Sequence, residues 1–167
     1  MRQAENRQHL SDITIRAGRS ADLPRLRQLY IEMTAYHAER DARYADAETA
    51  TREAAHFFEG WLRHSRALLA VAEINGNVAG FGLISLQKPH MAMANIPTAR
   101  LDLLAVGANF RRRGIGTQIV NALIEWARSQ GAERVFVSHA AQNPAASAFW
   151  SSFGFVDFAV VRSLDIK

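Results

Sequence analysis

The sequence has 167 residues, of which 49% are hydrophobic and 22% charged, a composition typical of one globular domain with a sizeable core. It contains no cysteine, which excludes disulfides, thiolate metal sites and a cysteine nucleophile. Twenty basic against 16 acidic side chains give a formal charge of +4, which suits an anionic ligand, but the bases are scattered, which argues against nucleic acid as a partner.

The first predicted strand is preceded by polar residues. Residues 1–11 are expected to form a flexible tail before a single domain over residues 12–167. They lack the apolar core of a secretory signal, so the cytoplasm is the expected compartment. Apolar runs such as residues 67–72 are far too short to span a bilayer, and no membrane partner is expected.

Strand and helix signals alternate along the first half of the chain. Apolar side chains recur every second residue in the predicted strands and at helical spacing in the predicted helices. Asn75-Gly76 is a hairpin signal, because a type I′ turn needs positive φ at both central residues. The predicted elements are a strand at 13–15, a helix over 22–40, a loop over 41–48, a helix burying Ala54, Phe57, Trp61 and Leu62, and strands over 68–74 and 78–86.

The second half carries the strongest helix signal, and Gly131 is expected to end that helix as its C-cap. The predicted elements are a loop over 88–97, a strand over 98–106, a loop over 107–116, a helix with the stripe Ile115, Ile119, Leu123 and Trp126, a strand over 134–138, a short helix opened by Asn143-Pro144, and a terminal strand or hairpin over 155–166. This order predicts a mixed α/β (α+β) sheet, mostly antiparallel at first and crossing over through one helix later.

An arginine- and glycine-rich stretch, Arg111-Arg112-Arg113-Gly114-Ile115-Gly116-Thr117, leads into that helix. The start of a helix exposes unpaired N–H groups and the positive end of the helix dipole. Gly114 and Gly116 would let the backbone approach a ligand closely, and the arginines add positive potential. The stretch predicts a phosphate-binding turn, although a tight turn made for packing has the same signature.

Two nucleotide-binding motifs are excluded by the same residues. A P-loop needs Gly-Lys before Ser or Thr, whereas Thr117 follows Gly116 directly. A Rossmann fingerprint needs a third glycine where the chain has Ile119, and an acid where the next strand ends in Ser138-His139.

The chain resembles the GNAT superfamily of acetyltransferases in several short blocks that cover about residues 13–166. The matching residues are Ile15-Arg16, Ala21-Asp22-Leu23-Pro24, Ala105-Val106, Arg111-x-x-Gly114-x-Gly116, Asn143, Ala146, Phe149-Trp150 and Gly154-Phe155. The resemblance implies an N-acetyltransferase that uses acetyl-CoA and a primary amine. It also implies a mainly antiparallel sheet of six to seven strands flanked by about four helices, with a splay between strands 98–106 and 134–139.

The resemblance further implies which residues hold acetyl-CoA, with no metal. The expected cofactor-binding residues are Leu104, Ala105 and Val106 along the pantetheine arm, Arg111, Arg112, Arg113, Gly114, Ile115, Gly116 and Thr117 around the pyrophosphate, and Asn143, Phe149 and Trp150 beside the arm. Asn143 before Pro144 is also a good helix N-cap, and the two roles are compatible.

Acetylation needs a group that takes the proton of the amine, because an amine with a pKa of about 10 is mostly protonated at neutral pH. Asp102 is the first candidate, since strand alternation would place it on the face of Leu104 and Val106; a salt-bridged or edge-facing aspartate is the alternative. His139 is the second candidate, because imidazole suits proton transfer near neutral pH. A backbone N–H of Val106 or Leu104 is expected to stabilise the oxyanion.

Trp150 departs from the family pattern, in which many members carry tyrosine. An indole cannot supply a proton to a thiolate, so Trp150 is interpreted as a packing residue along the cofactor. Tyr36 or Tyr44 could supply a hydroxyl instead, with core or lid packing as the alternative for both. Water alone could also protonate the departing thiolate.

The acceptor is expected to be a small-molecule or peptide amine. The loops 41–48 and 88–97 are its expected wall, and the acidic residues Glu39, Asp41, Asp46 and Glu48 would suit a cationic amine, unless they form only a solvated loop. A protein or aminoacyl-tRNA amine is a second hypothesis, and a non-catalytic acyl-CoA-binding regulator is a third. The family habit of pairing through sheets makes a homodimer an expectation.

Overall fold

A computed structural model describes residues 13–44, 46–88, 96–164 and 166 of the chain. These residues divide into two compact units, one ending at Val137 and one beginning at Ser138. The predicted tail over residues 1–11 lies outside the described residues. The single domain over residues 12–167 stays a prediction.

The first unit contains a five-stranded sheet and three α-helices. Its elements are β1 (Ile13–Ala17), α1 (Leu23–Ala38), α2 (Ala47–Leu62), β2 (Ala67–Ile74), β3 (Asn77–Leu86), β4 (Thr98–Val106), α3 (Ile115–Ser129) and β5 (Arg134–Val137). The strands are ordered β1-β2-β3-β4-β5; the first three pairings are antiparallel and β4 pairs with β5 in parallel. The predicted mixed, mainly antiparallel α/β fold is confirmed, and the described residues form five strands where six or seven were expected.

The core lies on both faces of this sheet. Leu26 of α1 and Phe58 of α2 pack on one face against Phe81 of β3, and the two phenylalanine rings meet edge to face at 5.3 Å. On the other face, a Cβ at Gly82 would lie 2.6 Å from Ile119 of α3. Glycine at position 82 therefore lets α3 approach the sheet closely.

Local turn chemistry follows the sequence in this unit. Asn75 and Gly76 have φ of 49° and 77°, which confirms the hairpin turn, and Gly131 has φ of 81° where α3 ends. Asp46 caps α2 by accepting a hydrogen bond from the Thr49 amide over 2.8 Å. Because Asn and Asp side chains bond to nearby backbone and glycine lacks a Cβ, these local features can be predicted from single residues.

A buried ion pair joins the entry of α1 to the sheet. The Arg16 guanidinium donates to both oxygens of buried Asp22, over 2.7 and 2.8 Å, and also donates to Glu73 over 2.8 Å. The hydrogen bonds from Arg16 hold the pKa of Asp22 below its ordinary value. Arg16 thereby ties β1, β2 and the start of α1 together.

The second unit is centred on the short helix α4 (Pro144–Ser151). The predicted N-cap is confirmed, since Asn143 Oδ1 accepts a hydrogen bond from the Ala146 amide over 3.0 Å. Phe149, Trp150, Phe153 and Phe155 form an aromatic cluster with ring centroids 4.9 to 6.4 Å apart. Trp150 is buried, in agreement with its interpretation as a packing residue.

The predicted terminal strand or hairpin over residues 155–166 is wrong for the described residues of that range. Residues 155–164 adopt no strand, and their apolar side chains are largely exposed, Val161 by 94%. A strand needs a neighbouring strand to accept its backbone hydrogen bonds, and the described residues of the second unit contain none. An apolar alternation alone could not reveal that requirement.

Neither a membrane span nor a metal cluster occurs in the described parts of the chain. None of their helices combines the length and the apolar character needed to cross a bilayer. Likewise, histidine, aspartate and glutamate side chains nowhere gather there in a group of three that could hold a metal ion.

Candidate functional site

The pairing between β3 and β4 changes register at Asp102. Leu103 lies opposite Leu83, whereas Leu101 lies opposite Ile84, so Asp102 is one extra residue in β4. Such a β-bulge bends the strand and changes the direction of the side chains that follow. It also marks the point along β4 where the pairing with β5 ends while the pairing with β3 continues.

The bulge turns Asp102 towards the face of the sheet that carries α1 and α2. Ser85 lies on that face, and its Oγ donates a 2.5 Å hydrogen bond to Asp102 Oδ2. Leu104 and Val106 lie on the α3 face, because they are opposite the two β3 glycines that approach α3. The prediction that Asp102 shares a face with Leu104 and Val106 is therefore wrong, since alternation assumes an uninterrupted strand.

Both carboxylate oxygens of Asp102 have partners. Arg100 Nε donates to Oδ1 over 2.6 Å, and Ser85 donates to Oδ2. Gln87 Nε2 donates in turn to Ser85 Oγ over 2.8 Å. The Asp102 side chain is only 8% exposed, whereas that of Arg100 is 58% exposed. We call these four residues the Asp102 network.

One edge of β4 is open beyond the bulge. β5 pairs with β4 only at residues 98–101, whose partners are residues 134–137. The remaining residues 102–106 have no strand partner on this edge among the described residues of the first unit. The two parallel strands separate at the same point along β4 as the bulge at Asp102, and bulges are common where strand pairing changes. This separation is the part of the predicted splay that lies in the first unit.

Backbone groups of Leu104 and Val106 are directed at the open edge. The Gly107 amide donates to the Ala79 carbonyl over 2.9 Å, which points Gly107 towards β3. Since the direction of backbone groups alternates along a strand, the N–H and C=O groups of Val106 and Leu104 point away from β3. The open edge can therefore hydrogen-bond to an extended ligand chain as a further strand would.

The loop between β4 and α3 has an unusual backbone. Arg112 has φ of 61°, a left-handed conformation that few residues other than glycine adopt, and Gly114 has φ of 76° immediately before α3. No side chain of the described residues caps the start of α3. Its first amides are thus free of side-chain partners at the positive end of the helix dipole, which is the arrangement that binds anions.

Arg111 connects this loop to the strand edge and to α1. Its Nε donates to the Val106 carbonyl over 3.2 Å, and its guanidinium lies 5.5 Å from the centre of the Tyr36 ring. The Arg40 guanidinium lies 3.6 Å from the same ring. The C-terminal part of α1 is therefore adjacent to the loop, and the Tyr36 ring lies within cation–π distance of two guanidinium groups.

His37 and Tyr44 extend this contact on the side of α1. Their rings stack at 4.8 Å. Burial, reinforced by Arg40, lowers the pKa of His37 below its ordinary value. Tyr44 is thus held by a ring contact, in line with the packing alternative that the sequence left open.

The acidic loop before α2 carries little uncompensated charge. Arg43 donates to Asp41 over 2.6 Å and, with that contact, lowers the pKa of Asp41 to about 2. Glu39 pairs with Arg40 and Glu48 with Arg52, while Asp46 caps α2. The predicted attraction of this loop for a cationic amine is weakened accordingly. Most of the other predicted wall, residues 89–95, lies outside the described residues.

Several predicted residues belong to the second unit. His139 is exposed, and its Nδ1 lies 3.0 Å from the Ala140 carbonyl oxygen. Asn143 uses its side-chain oxygen as a helix cap. The catalytic role of His139 and the cofactor roles of Asn143, Phe149 and Trp150 stay predictions.

The sequence interpretation missed Ser85, Gln87 and Arg100. Ser85 is a buried polar residue in a strand that is apolar or glycine from Val78 to Ile84, and this contrast was the available signal. A buried hydroxyl needs a hydrogen-bond partner, which should have directed attention to the neighbouring strand. Its partner could not be named without the register of β3 and β4.

The chain is similar in sequence to a known family of acetyltransferases and to curated proteins. The family model described as "Acetyltransferase (GNAT) family" matches residues 26–155. The uncharacterized N-acetyltransferase YobR of Bacillus subtilis is 38% identical over 55 residues, which are 33% of this chain and 22% of YobR. The uncharacterized N-acetyltransferase MJ1207 of Methanocaldococcus jannaschii is 28% identical over 64% of this chain and 46% of that protein. The matches thus span less than half the length of these two relatives.

Solved structures share the fold. A transcriptional regulator from Bacillus halodurans superposes with a TM-score of 0.75 at 20% identity, over 92% of this chain and 99% of that one. The aminoglycoside N-acetyltransferase AAC(6')-Iy, solved with CoA, superposes with a TM-score of 0.72 at 18% identity, over 93% and 95% of the two chains.

Proposed function

Because the chain belongs to the acetyltransferase (GNAT) family, we propose that it is an N-acetyltransferase that moves the acetyl group of acetyl-CoA to a primary amine by direct attack on the thioester. The observation that carries the proposal is the combination of an uncapped helix start with an open strand edge. The uncapped helix start can bind phosphates, and the open strand edge can bind an extended chain of amide groups. The two are connected by the loop between β4 and α3.

The donor is held mainly by backbone in this proposal. The amides from Arg112 to Thr117 bind the pyrophosphate, supported by the left-handed φ values at Arg112 and Gly114. Arg111 and Arg113 add positive charge at the rim. No metal is needed, because helix-start amides and arginines neutralise the phosphate charge.

The open edge of β4 orients the reactive end of the donor. The pantetheine arm follows Ala105 and pairs with the outward N–H and C=O groups of Leu104 and with the outward N–H of Val106, whose carbonyl already accepts from Arg111. One of the two outward N–H groups polarises the thioester carbonyl and stabilises the tetrahedral oxyanion. Attack by the neutral amine forms the amide bond, the carbon–sulfur bond breaks, and the thiolate leaves.

The acceptor lies on the α1 and α2 face of the sheet, next to Asp102. This carboxylate binds the amine or takes its proton, directly or through water. The position of Asp102, where β4 and β5 separate, supports this role. The argument from strand alternation does not, because the bulge places Asp102 on the opposite face from Leu104 and Val106. His139 is the second candidate for the proton acceptor, and water protonates the thiolate, since Trp150 has no proton to give.

The acceptor is a small-molecule or peptide amine. A structural neighbour of the chain is named an aminoglycoside N-acetyltransferase, and aminoglycosides are small polycationic amines. The dispersed positive charge of the chain and its lack of a basic run favour this class over an RNA-borne amine.

Thiol release from acetyl-CoA, followed over a panel of amines, tests the proposal. The panel contains polyamines, aminoglycosides, amino acids and short peptides with free N-termini, and mass spectrometry identifies acetylated products. We expect at least one amine to accelerate thiol release well above hydrolysis. If CoA binds but no amine accelerates release, the chain is an acyl-CoA-binding regulator. If only an RNA-borne or protein-borne amine reacts, and salt suppresses the reaction, the acceptor is macromolecular.

Compartment and assembly are further proposals. We place the enzyme in the cytoplasm, where acetyl-CoA is made and used, and expect a homodimer. Fractionation of the source cells and light scattering of the purified protein test the two statements separately.

A further inference from the structure

The Asp102 network combines a buried carboxylate with an exposed cation. Asp102 is 8% exposed and Arg100 58%, although they are joined by a 2.6 Å hydrogen bond. A buried carboxylate needs a compensating charge, whereas an arginine that lies largely in water does not. The need for the ion pair is therefore one-sided: Asp102 requires a cation, and Arg100 is free to leave.

The carboxylate keeps its orientation without Arg100. Ser85 holds Oδ2 at 2.5 Å, and Gln87 holds the Ser85 hydroxyl at 2.8 Å. Ser85 is itself buried, so this side of the network is shielded from solvent. Only Oδ1, the oxygen bonded to Arg100, depends on the exposed partner. Departure of Arg100 would thus leave a fixed oxygen that accepts a hydrogen bond from another cation.

The position of that oxygen suits an acceptor amine. Asp102 is the residue at which pairing of β4 with β5 ends, and the open edge begins there. A thioester polarised by the N–H of Leu104 or Val106 would lie two to four residues along β4 from Asp102.

We propose that Arg100 is a specificity-determining residue that occupies the ammonium subsite of the acceptor, and that a cationic amine binds by displacing Arg100 from Asp102. The inference rests on the proposed function, because it names the charge of the acceptor that the same site selects. A cationic primary amine satisfies the buried carboxylate on entry, whereas a neutral ligand would leave it unpaired. The site thereby discriminates for ammonium groups before any chemistry occurs.

Nuclear magnetic resonance tests the displacement without relying on turnover. The Nε–H signal of Arg100, assigned with Arg100→Lys, is followed while n-butylammonium is added to the protein with CoA present. We expect this signal to move and to exchange faster with water, and neutral n-butanol to leave it unchanged. The inference is overturned if n-butylammonium leaves the position and the exchange rate of the Arg100 signal unchanged, or if n-butanol changes them equally.

Steady-state kinetics at pH 8 tests the consequence for specificity. Arg100→Met keeps the aliphatic stem and removes the competing charge, so the KM for a cationic amine should fall about two- to fivefold with kcat little changed. Arg134→Met removes one exposed positive charge from the neighbouring strand and should leave KM unchanged. In an Asp102→Asn background, Arg100→Met should no longer lower KM.

The outcomes separate two kinds of failure. A higher KM in Arg100→Met would mean that Arg100 itself binds the acceptor, for instance through a carboxylate group of the acceptor. That result would overturn the inference, while the proposed transferase function would stand. If Arg134→Met lowered the KM by the same factor, the change in net charge would explain the effect, and the inference would be overturned. If the wild type acetylates no amine, the proposed function fails, while the titration with n-butylammonium still tests the subsite.

Discussion

The loop over residues 107–116 and the Asp102 network lie at opposite ends of the same short stretch of β4, yet they are built differently. The loop presents backbone amides, and its shape depends on the φ of Arg112 and Gly114. The network presents side chains from β3, from β4 and from Gln87 just after β3, and its shape depends on a bulge that brings Ser85 to Asp102. Changes in the loop should therefore affect the donor alone, and changes in the network should affect the acceptor alone.

Asp102→Asn should have the largest effect, because it removes the charge around which the network is arranged. We expect kcat/KM for the amine to fall about 100-fold, the usual scale for loss of a group that handles a proton. The pH dependence of the rate should change as well. The affinity for CoA, measured by calorimetry, should stay within about twofold, since charge-assisted contacts to the donor are made elsewhere.

A variant that lost both amine turnover and CoA affinity would contradict the separation of the two regions. Loss of fold is checked by thermal unfolding of the same preparation. An unchanged pH profile would remove Asp102 as the group that takes the proton.

Gly114→Val should break the donor side instead. A β-branched residue at φ of 76° is strained by about 1–3 kcal/mol and would displace the amides before α3, so CoA affinity should fall about tenfold or more. Gly60→Ala is the matched control, because a Cβ at position 60 meets no neighbouring atom. Wild-type CoA affinity in a folded Gly114→Val would show that the loop does not hold the donor.

Ser85→Ala tests the hidden part of the network. Asp102 would lose its Oδ2 partner, and the free energy of unfolding should fall by about 1.5–3 kcal/mol, since the lost hydrogen bond is made to a charged group. The KM for the amine should rise more than the KM for acetyl-CoA. Ser85→Thr, which keeps the hydroxyl, should recover most of both losses.

Arg112→Gly should give the smallest change and the opposite sign. Removing the strain of the left-handed backbone at Arg112 should stabilise the folded protein by about 1–2 kcal/mol. The greater freedom of glycine in the unfolded chain offsets about 0.5–1 kcal/mol of this gain. We expect denaturant unfolding to show a gain of about 0.5 kcal/mol. A clear loss of stability would mean that the Arg112 side chain makes contacts that outweigh its strained backbone.

The same contrast explains what the sequence could predict. The loop, the Asn75-Gly76 turn and the Asn143 cap depend on residues close together in the chain, so their spacing was sufficient. The side of the sheet on which Asp102 lies depends on one extra residue in the pairing of β3 with β4. The spacing of residues within β4 alone does not show this bulge. Arg100 and Ser85 acquired their importance only from that register. The strand expected over residues 155–166 failed for a related reason, because a strand is defined by its partner.

The most direct test measures KM for acetyl-CoA and KM for the amine in Gly114→Val and Asp102→Asn, side by side with the wild type. We expect a raised KM for acetyl-CoA with an unchanged amine KM in Gly114→Val. In Asp102→Asn we expect a reduced kcat/KM for the amine with an unchanged KM for acetyl-CoA. If each variant changed both constants to the same extent, the two regions would not be the separate donor and acceptor sites of an acetyltransferase.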